Sequence, residues 1–262
     1  AMEGVKYFLV PNVKNFSWMT VVAAMGQMFY SLSIAMGILI TFGSYMKKET
    51  SLEDSTRNVE VFDTAIAIMA GLMIIPAVFS FSGGDPDTLQ AGPALMFITI
   101  PKVFENMGFG TVVGILFFLL VLFAAVTSSI ALTESAVSTF EDELGWSRRR
   151  ATVLVGVIMI ALGSLSSLGY GPLVGIKIIG MQFLDFFDFL TNSVMMPIAA
   201  MLTSLFVSRI VGMKRMEEEI MHGESTFRRK KIFIVMIKYL CPVFALIILI
   251  SSVANAFGWI AM

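Results

Sequence analysis

The sequence predicts an all-α membrane protein with six transmembrane helices, on three observations. Its 262 residues are 57% apolar and only 14% charged, whereas an average soluble domain carries roughly 25% charged residues. The mean hydropathy is +0.85, and a soluble fold of this length would lack the polar surface to cover itself. Six stretches approach the ~20 mostly apolar residues that a helix needs to cross a bilayer. They cover residues 18–46, 61–81, 111–140, 151–168, 184–211 and 232–260.

The first stretch carries Tyr30-Ser31-Leu32-Ser33-Ile34-Ala35-Met36-Gly37 near its middle. Serine hydroxyls can bond back to the preceding turn of an intact helix. The same residues suit a broken helix, whose freed backbone is tolerated at membrane depth only where it lines a cavity or binds something. Both readings stay open on these residues alone. The second stretch holds Asp63 near its inner end. An external loop, 82–110, follows it, with turn chemistry at Gly83-Gly84-Asp85-Pro86.

The third stretch contains Ala124-Ala125-Val126-Thr127-Ser128-Ser129 and, in its inner half, Glu134. Adjacent hydroxyls and a nearby carbonyl suit a hard cation such as sodium. Small residues also let membrane helices pack closely, so packing is the competing reading. Gly145-Trp146-Ser147 marks a turn, with Ser147 placed as the N-cap of the fourth helix. Gly169-Tyr170-Gly171-Pro172 ends that helix. Asp188 lies near the outer end of the fifth stretch, and a cytoplasmic loop, 212–231, leads into the sixth. Asp63, Glu134 and Asp188 each cost a few kcal/mol against lipid, so each is expected to face protein, water or an ion.

The 18 basic residues set the orientation. Lys47, Lys48, Arg57, Arg148, Arg149, Arg150, Arg209, Lys214, Arg215, Arg228, Arg229, Lys230, Lys231 and Lys238 fall on one side; Lys6, Lys14, Lys102 and Lys177 fall on the other. The first group marks the cytoplasm by the positive-inside rule. Topology alone accounts for these clusters, with lipid binding by Arg228 to Lys231 as the lesser reading. Six spans then put both termini outside. A chain that starts outside with no signal peptide implies upstream membrane segments, so the sequence reads as a fragment.

Other classes find no support. A net charge of -1 gives no reason to expect nucleic acid. The lone histidine, His222, lies in the acidic loop Glu217 to Glu224, the serines have no adjacent base, and there is no glycine-rich phosphate loop. The chain therefore does not read as an enzyme. The one cysteine, Cys241, sits in an apolar run and has no intrachain partner for a disulfide.

Together these segments resemble the neurotransmitter:sodium symporter family, especially its bacterial amino-acid transporters of the leucine or multihydrophobic-amino-acid type. The stretch Gly26 to Gly37 resembles the family's sixth helix, which is unwound at the substrate site. Ala124 to Ile130 resembles the eighth helix, and Phe140-Glu141-Asp142-Glu143-Leu144 with Ser147-Arg148 its cytoplasmic end. Gly92-Pro93-Ala94-Leu95 through Pro101 is similar to the external loop that closes over the entrance. The resemblance implies helices six to eleven of an inverted-repeat transporter fold, with the first helix unwound mid-membrane. A twelfth helix is absent, as in some bacterial members, which is consistent with a natural C-terminus.

The resemblance also implies site residues. Ser31 and Asp63 match ligands of a first sodium ion; Ala124 (through its carbonyl), Thr127 and Ser128 match ligands of a second. Tyr30, Ser33, Met36, Ser128 and Leu132 match positions around the substrate. Asp188 matches the outer gate acid and Asp142 the inner one, with Ser44, Tyr45 and Glu134 along the inner pathway. Two departures matter. Asp63 stands where many members have asparagine and animal relatives bind chloride, with help from positions matching Gln27 and Ser31; a built-in carboxylate removes the need for that anion. Ala35 replaces a glycine common in the unwound segment.

The expected function is sodium-coupled symport of a neutral, hydrophobic amino acid into the cell by alternating access. The expected setting is a bacterial inner (plasma) membrane, crossed several times and surrounded by lipid, with the N-terminal half of the same protein as partner. A transport-inactive sensor or scaffold is the alternative, and a channel a further one. Concentrative uptake would separate the symporter from both.

Overall fold

The computed structural model describes residues 2–11, 13, 16–81, 92–223 and 226–259. The expected turn at Gly83-Gly84-Asp85-Pro86, together with Lys14 and Glu224, lies outside these residues. Among those described, every regular element is helical apart from a single bridge between Ile178 and Met181.

After α1 (Met2–Leu9), the first predicted span resolves into two helices, α2 (Trp18–Ser31) and α3 (Ile38–Ser44). Ser17 caps α2, its Oγ accepting from the Thr20 amide at 3.3 Å while the Thr20 hydroxyl takes the Ser17 amide at 3.3 Å. The helix ends because Ser33, Ala35 and Gly37 all adopt left-handed backbone (φ 55°, 63° and 80°), which an α-helix of L-residues cannot continue through.

Helix α4 (Leu52–Phe81) starts well ahead of the apolar stretch that begins at 61. Ser51 Oγ accepts the Asp54 amide at 3.0 Å, and Glu53 and Asp54 occupy the positive end of the helix dipole. Hydropathy does not register such a start. Helix α5 (Ile100–Glu105) precedes α6 (Gly110–Leu144), which at 35 residues is about 52 Å long. It therefore exceeds a bilayer core of ~30 Å and must tilt or project. Gly145 (φ 62°) ends it, and Trp146 stacks back on Phe140 with centroids 5.5 Å apart. Helix α7 (Arg148–Leu168) follows; Ser147 occupies its N-cap position in extended backbone, but its side chain makes no cap bond.

The remaining two spans are segmented. Helix α8 (Phe183–Asp188) runs through a π turn at Phe189–Met195 into α9 (Met196–Phe206) and a second π turn at Val207–Val211. After α10 (Met213–Ile220), α11 (Lys230–Val235) passes through a π turn at Met236–Leu240 into α12 (Cys241–Ala256). Pro197 and Pro242, like Pro101 in α5, sit at the second residue of a helix that a π turn precedes. A proline has no amide to donate and crowds the carbonyl four residues back, and the wider turn absorbs both effects. Five described helices are long and apolar enough to cross a membrane: Leu52–Ser80, Gly110–Leu144, Arg148–Leu168, Phe183–Val211 and Lys230–Ala256.

The chain forms two compact units. One comprises Ala1–Phe16 and Asn58–Ser129, the other Ser17–Arg57 and Ile130–Met262. In the first, α1 lies flush on α4: a Cβ on Gly4 would come within 2.6 Å of Pro76 Cα, and the Tyr7 and Phe79 rings sit 4.8 Å apart. In the second, Val137, Ala151 and Val155 form a buried cluster between α6 and α7, and Ser204 Oγ donates to the Ile237 carbonyl at 2.5 Å.

Candidate functional site

Most of the expected site residues lie on α2, α3, the break between them and α6. Tyr30 and Ser31 finish α2, while Ser33 and Met36 lie within the break. There the chain unwinds through turns, with the Ser33 amide bonded to the Tyr30 carbonyl at 3.1 Å and the Ile34 amide to the Phe29 carbonyl at 2.9 Å. A segment in this conformation leaves amides and carbonyls available to a ligand, since no helix ladder consumes them.

Tyr30 also lines a cavity of about 340 Å³ in the second unit, with Gln27, Asp188, Asn192, Ser193 and Ser252 among its walls. The Asn192 amide donates to Asp188 Oδ1 at 2.6 Å, which leaves the second carboxylate oxygen for a cationic group. The sequence reading had Tyr30 and Asp188 in separate roles; here they share one space. Asn192 is an addition, and its i, i+4 spacing from Asp188 was the available signal.

At the far end of α3 the Tyr45 hydroxyl donates to Glu134 Oε1 at 2.7 Å. Arg148 donates to the same carboxylate at 2.5 Å and 3.1 Å, and to Glu141 at 3.3 Å. The sequence marks Arg148 as a cytoplasmic basic residue and part of the motif after α6, without a partner for it; the turn at Gly145 carries it back beside α6. The expected inner gate acid Asp142 is exposed on α6, as is Leu132, and Ser44 bonds the Thr41 carbonyl at 2.7 Å. Between Gly37 and Tyr45, the buried Thr41 meets Ser135 and Ser138 of α6, a contact with no trace in the sequence pattern.

In the first unit, Asp63 is half-buried on α4, about 16 Å along the axis from the start of the helix. Ala124, Thr127 and Ser128 lie on α6, where the Thr127 hydroxyl donates to the Phe123 and Ala124 carbonyls, both at 3.0 Å. Its lone pairs remain able to accept a cation. These oxygen donors suit a hard monovalent ion. Among the described residues no group of three His, Cys, Asp or Glu offers a different metal site.

Residues 1–258 match the sodium:neurotransmitter symporter family. The chain is 33% identical over 225 residues to an uncharacterized sodium-dependent transporter, YhdH, of Bacillus subtilis, covering 86% of this chain and 49% of the relative. It is 32% identical over 253 residues to an uncharacterized sodium-dependent transporter of Haemophilus influenzae, covering 96% and 54%. It also superposes on the crystal structure of MhsT in complex with L-phenylalanine, with a TM-score of 0.83 at 34% identity, covering 96% of this chain and 56% of that one. The chain thus spans about half the length of these proteins, which are transporters and not enzymes. The chain belongs to the sodium:neurotransmitter symporter family.

Proposed function

We propose that the protein carries out sodium-coupled symport of a neutral, hydrophobic amino acid into a bacterial cell, by alternating access. One observation carries the reading: the interruption of the helical backbone at residues 32–37 in a chain this similar to an L-phenylalanine-bound transporter. In this reading α2 and α3 are one discontinuous sixth span, and the break lies mid-membrane. Its free amides and carbonyls receive the substrate's charged ends. The protein sits in the plasma membrane with its basic loops inward.

Ser31 and Asp63 serve one sodium ion, and the Ala124 carbonyl, Thr127 and Ser128 a second. Tyr30, Ser33, Met36, Ser128 and Leu132 line the substrate site. Met36 supplies flexible apolar surface that adapts to different side chains, and Leu132 adds aliphatic surface. Asp188 acts at the outer gate; Asp142, Ser44, Tyr45 and Glu134 act along the inner one. Sodium drives the cycle by binding one conformation more tightly than the other. The activity is that of the whole protein, of which relatives are about twice this length.

The test is uptake by the full-length protein in liposomes. A sodium gradient should concentrate labelled phenylalanine or leucine, and collapsing the gradient should release it. A sensor or scaffold would bind without uptake, and a channel would only equilibrate its solute. Competition by glutamate or lysine better than by neutral amino acids would overturn the substrate class.

A further inference from the structure

Asp188 ends α8, and the π turn Phe189–Met195 follows it at once. Across that turn the Met196 amide reaches back five residues to the Thr191 carbonyl, and the next residue, Pro197, has no amide with which to resume the α ladder at its own position. The wider turn decides which side chains share a face. In an unbroken α-helix Ser193 would point about 140° away from Asp188. Here Asp188, Asn192 and Ser193 all line the cavity that Tyr30 and Gln27 of α2 and Ser252 of α12 help to close. Single π turns recur at functional positions for this reason.

The carboxylate on that wall has one tether. The Asn192 amide donates to Asp188 Oδ1 at 2.6 Å, and among the described residues no other side chain bonds to either carboxylate oxygen. A carboxylate only accepts, so Asn192 must direct an N–H at it. The neighbouring Thr191 hydroxyl donates instead to the Phe187 and Asp188 backbone carbonyls, at 2.7 Å and 3.4 Å. It steadies the backbone and leaves the carboxylate alone. Asp188 is exposed while Asn192 is half-buried, so the better-packed side chain holds the freer one.

We propose that Asn192 is a positioning residue for Asp188: it holds the carboxylate in one rotamer, with Oδ2 left to meet a cationic partner across the cavity. The inference rests on the transport reading above and deepens it, since it names a residue that the outer gate needs besides its acid. An untethered aspartate distributes among three staggered χ1 wells. A partner that must meet one of them then binds more weakly, by the fraction of time the carboxylate spends in the others.

Uptake of labelled phenylalanine by the full-length protein in liposomes tests this. Asn192→Ala should raise KM about threefold, the factor expected for three accessible wells in place of one, with a smaller change in maximal rate. Asn192→Gln keeps the amide donor and should recover most of what alanine loses. Added to Asp188→Ala, the Asn192→Ala change should do nothing further, because no carboxylate is left to hold; a residue needed only for packing would cost as much there as in the parent. Should Asp188→Ala be too slow to follow, equilibrium binding of labelled phenylalanine to the same proteins gives the same comparison. Asp188→Asn combined with Asn192→Asp keeps a hydrogen-bonded pair but moves the charge by one turn, and should stay as impaired as Asp188→Asn alone. Additive losses, an Asn192→Ala variant equal to the parent, or recovery in the exchanged pair would overturn the proposal. A parent without sodium-driven uptake would overturn the transport reading and this inference with it, an outcome distinct from any difference among the variants.

Discussion

The Tyr45 hydroxyl donates to Glu134 Oε1 at 2.7 Å, and the same carboxylate receives Arg148 Nη2 at 2.5 Å. One side chain of α6 thereby ties together the end of α3 and the start of α7. The Glu134 side chain is 19% exposed and that of Arg148 60%. The arginine can be solvated on its own, whereas the carboxylate depends on its partners.

This asymmetry makes Arg148→Gln the damaging change, because it leaves a mostly enclosed carboxylate with Tyr45 and no cation. Glu134→Gln keeps the shape and a carbonyl acceptor for Tyr45, so it should be milder. The double variant should melt closer to the parent than Arg148→Gln alone, a coupling that thermal unfolding of all four proteins measures. The effect should shrink at high salt, since Arg148 is exposed. Strictly additive losses would mean that the pair contributes nothing as a pair.

Replacing both Thr127 and Ser128 by alanine removes two oxygen donors while preserving α6. If they ligate sodium, the sodium concentration for half-maximal substrate binding should rise at least about tenfold, roughly 1.4 kcal/mol. Substrate affinity at saturating sodium should change much less. Binding with the parent's sodium dependence would return these residues to helix packing.

Ala35 holds a left-handed backbone (φ 63°) that glycine adopts without strain. Ala35→Gly should stabilise the protein by roughly 0.5–1 kcal/mol, the relief of strain being partly offset by the greater freedom of the unfolded chain. Ala35→Val should destabilise by about 1–3 kcal/mol, as a branched side chain is poorly tolerated there. Thermal unfolding of the three proteins decides it; equal stability of glycine and valine would mean that the break adopts another backbone in solution.

Hydropathy made the long apolar helices legible, because the bilayer imposes their length and composition. It could not show that α4 begins at Leu52, since that turn is polar and defined by the Ser51 cap. Ser31, Ser33 and Gly37 left the break undecided: hydroxyls and a glycine serve an intact helix as well as an interrupted one, and only the positive φ values distinguish them. Glu134 stands out as a carboxylate at depth, yet nothing in the sequence pairs it with Arg148, which reads as a cytoplasmic basic residue in the motif after α6. Thr41 and Ser135 are 94 residues apart, and neither is unusual in its own helix. Contacts of that kind arise from tertiary packing and leave no local pattern.

The carboxylate of Asp63 leads to the last expectation, that transport needs no chloride. The resemblance implies that animal relatives place a chloride ion beside this position, where it supplies negative charge next to sodium. A fixed carboxylate would supply it here, and a second anion alongside would meet like-charge repulsion in a poorly solvated site. Asp63 is half-buried on α4 and lies two residues into the apolar stretch that begins at 61, so simple solvation at the interface is the rival reading that the variant tests. Asp63→Asn should therefore reduce sodium-driven uptake at least about tenfold in chloride-free buffer, on the scale of one lost charge interaction, and added chloride should partly restore it. Uptake by the parent should be the same in chloride and in gluconate. Chloride-dependent uptake by the parent would refute the proposal, and so would a fully active Asp63→Asn variant without chloride, because the carboxylate would then be carrying no charge that transport requires.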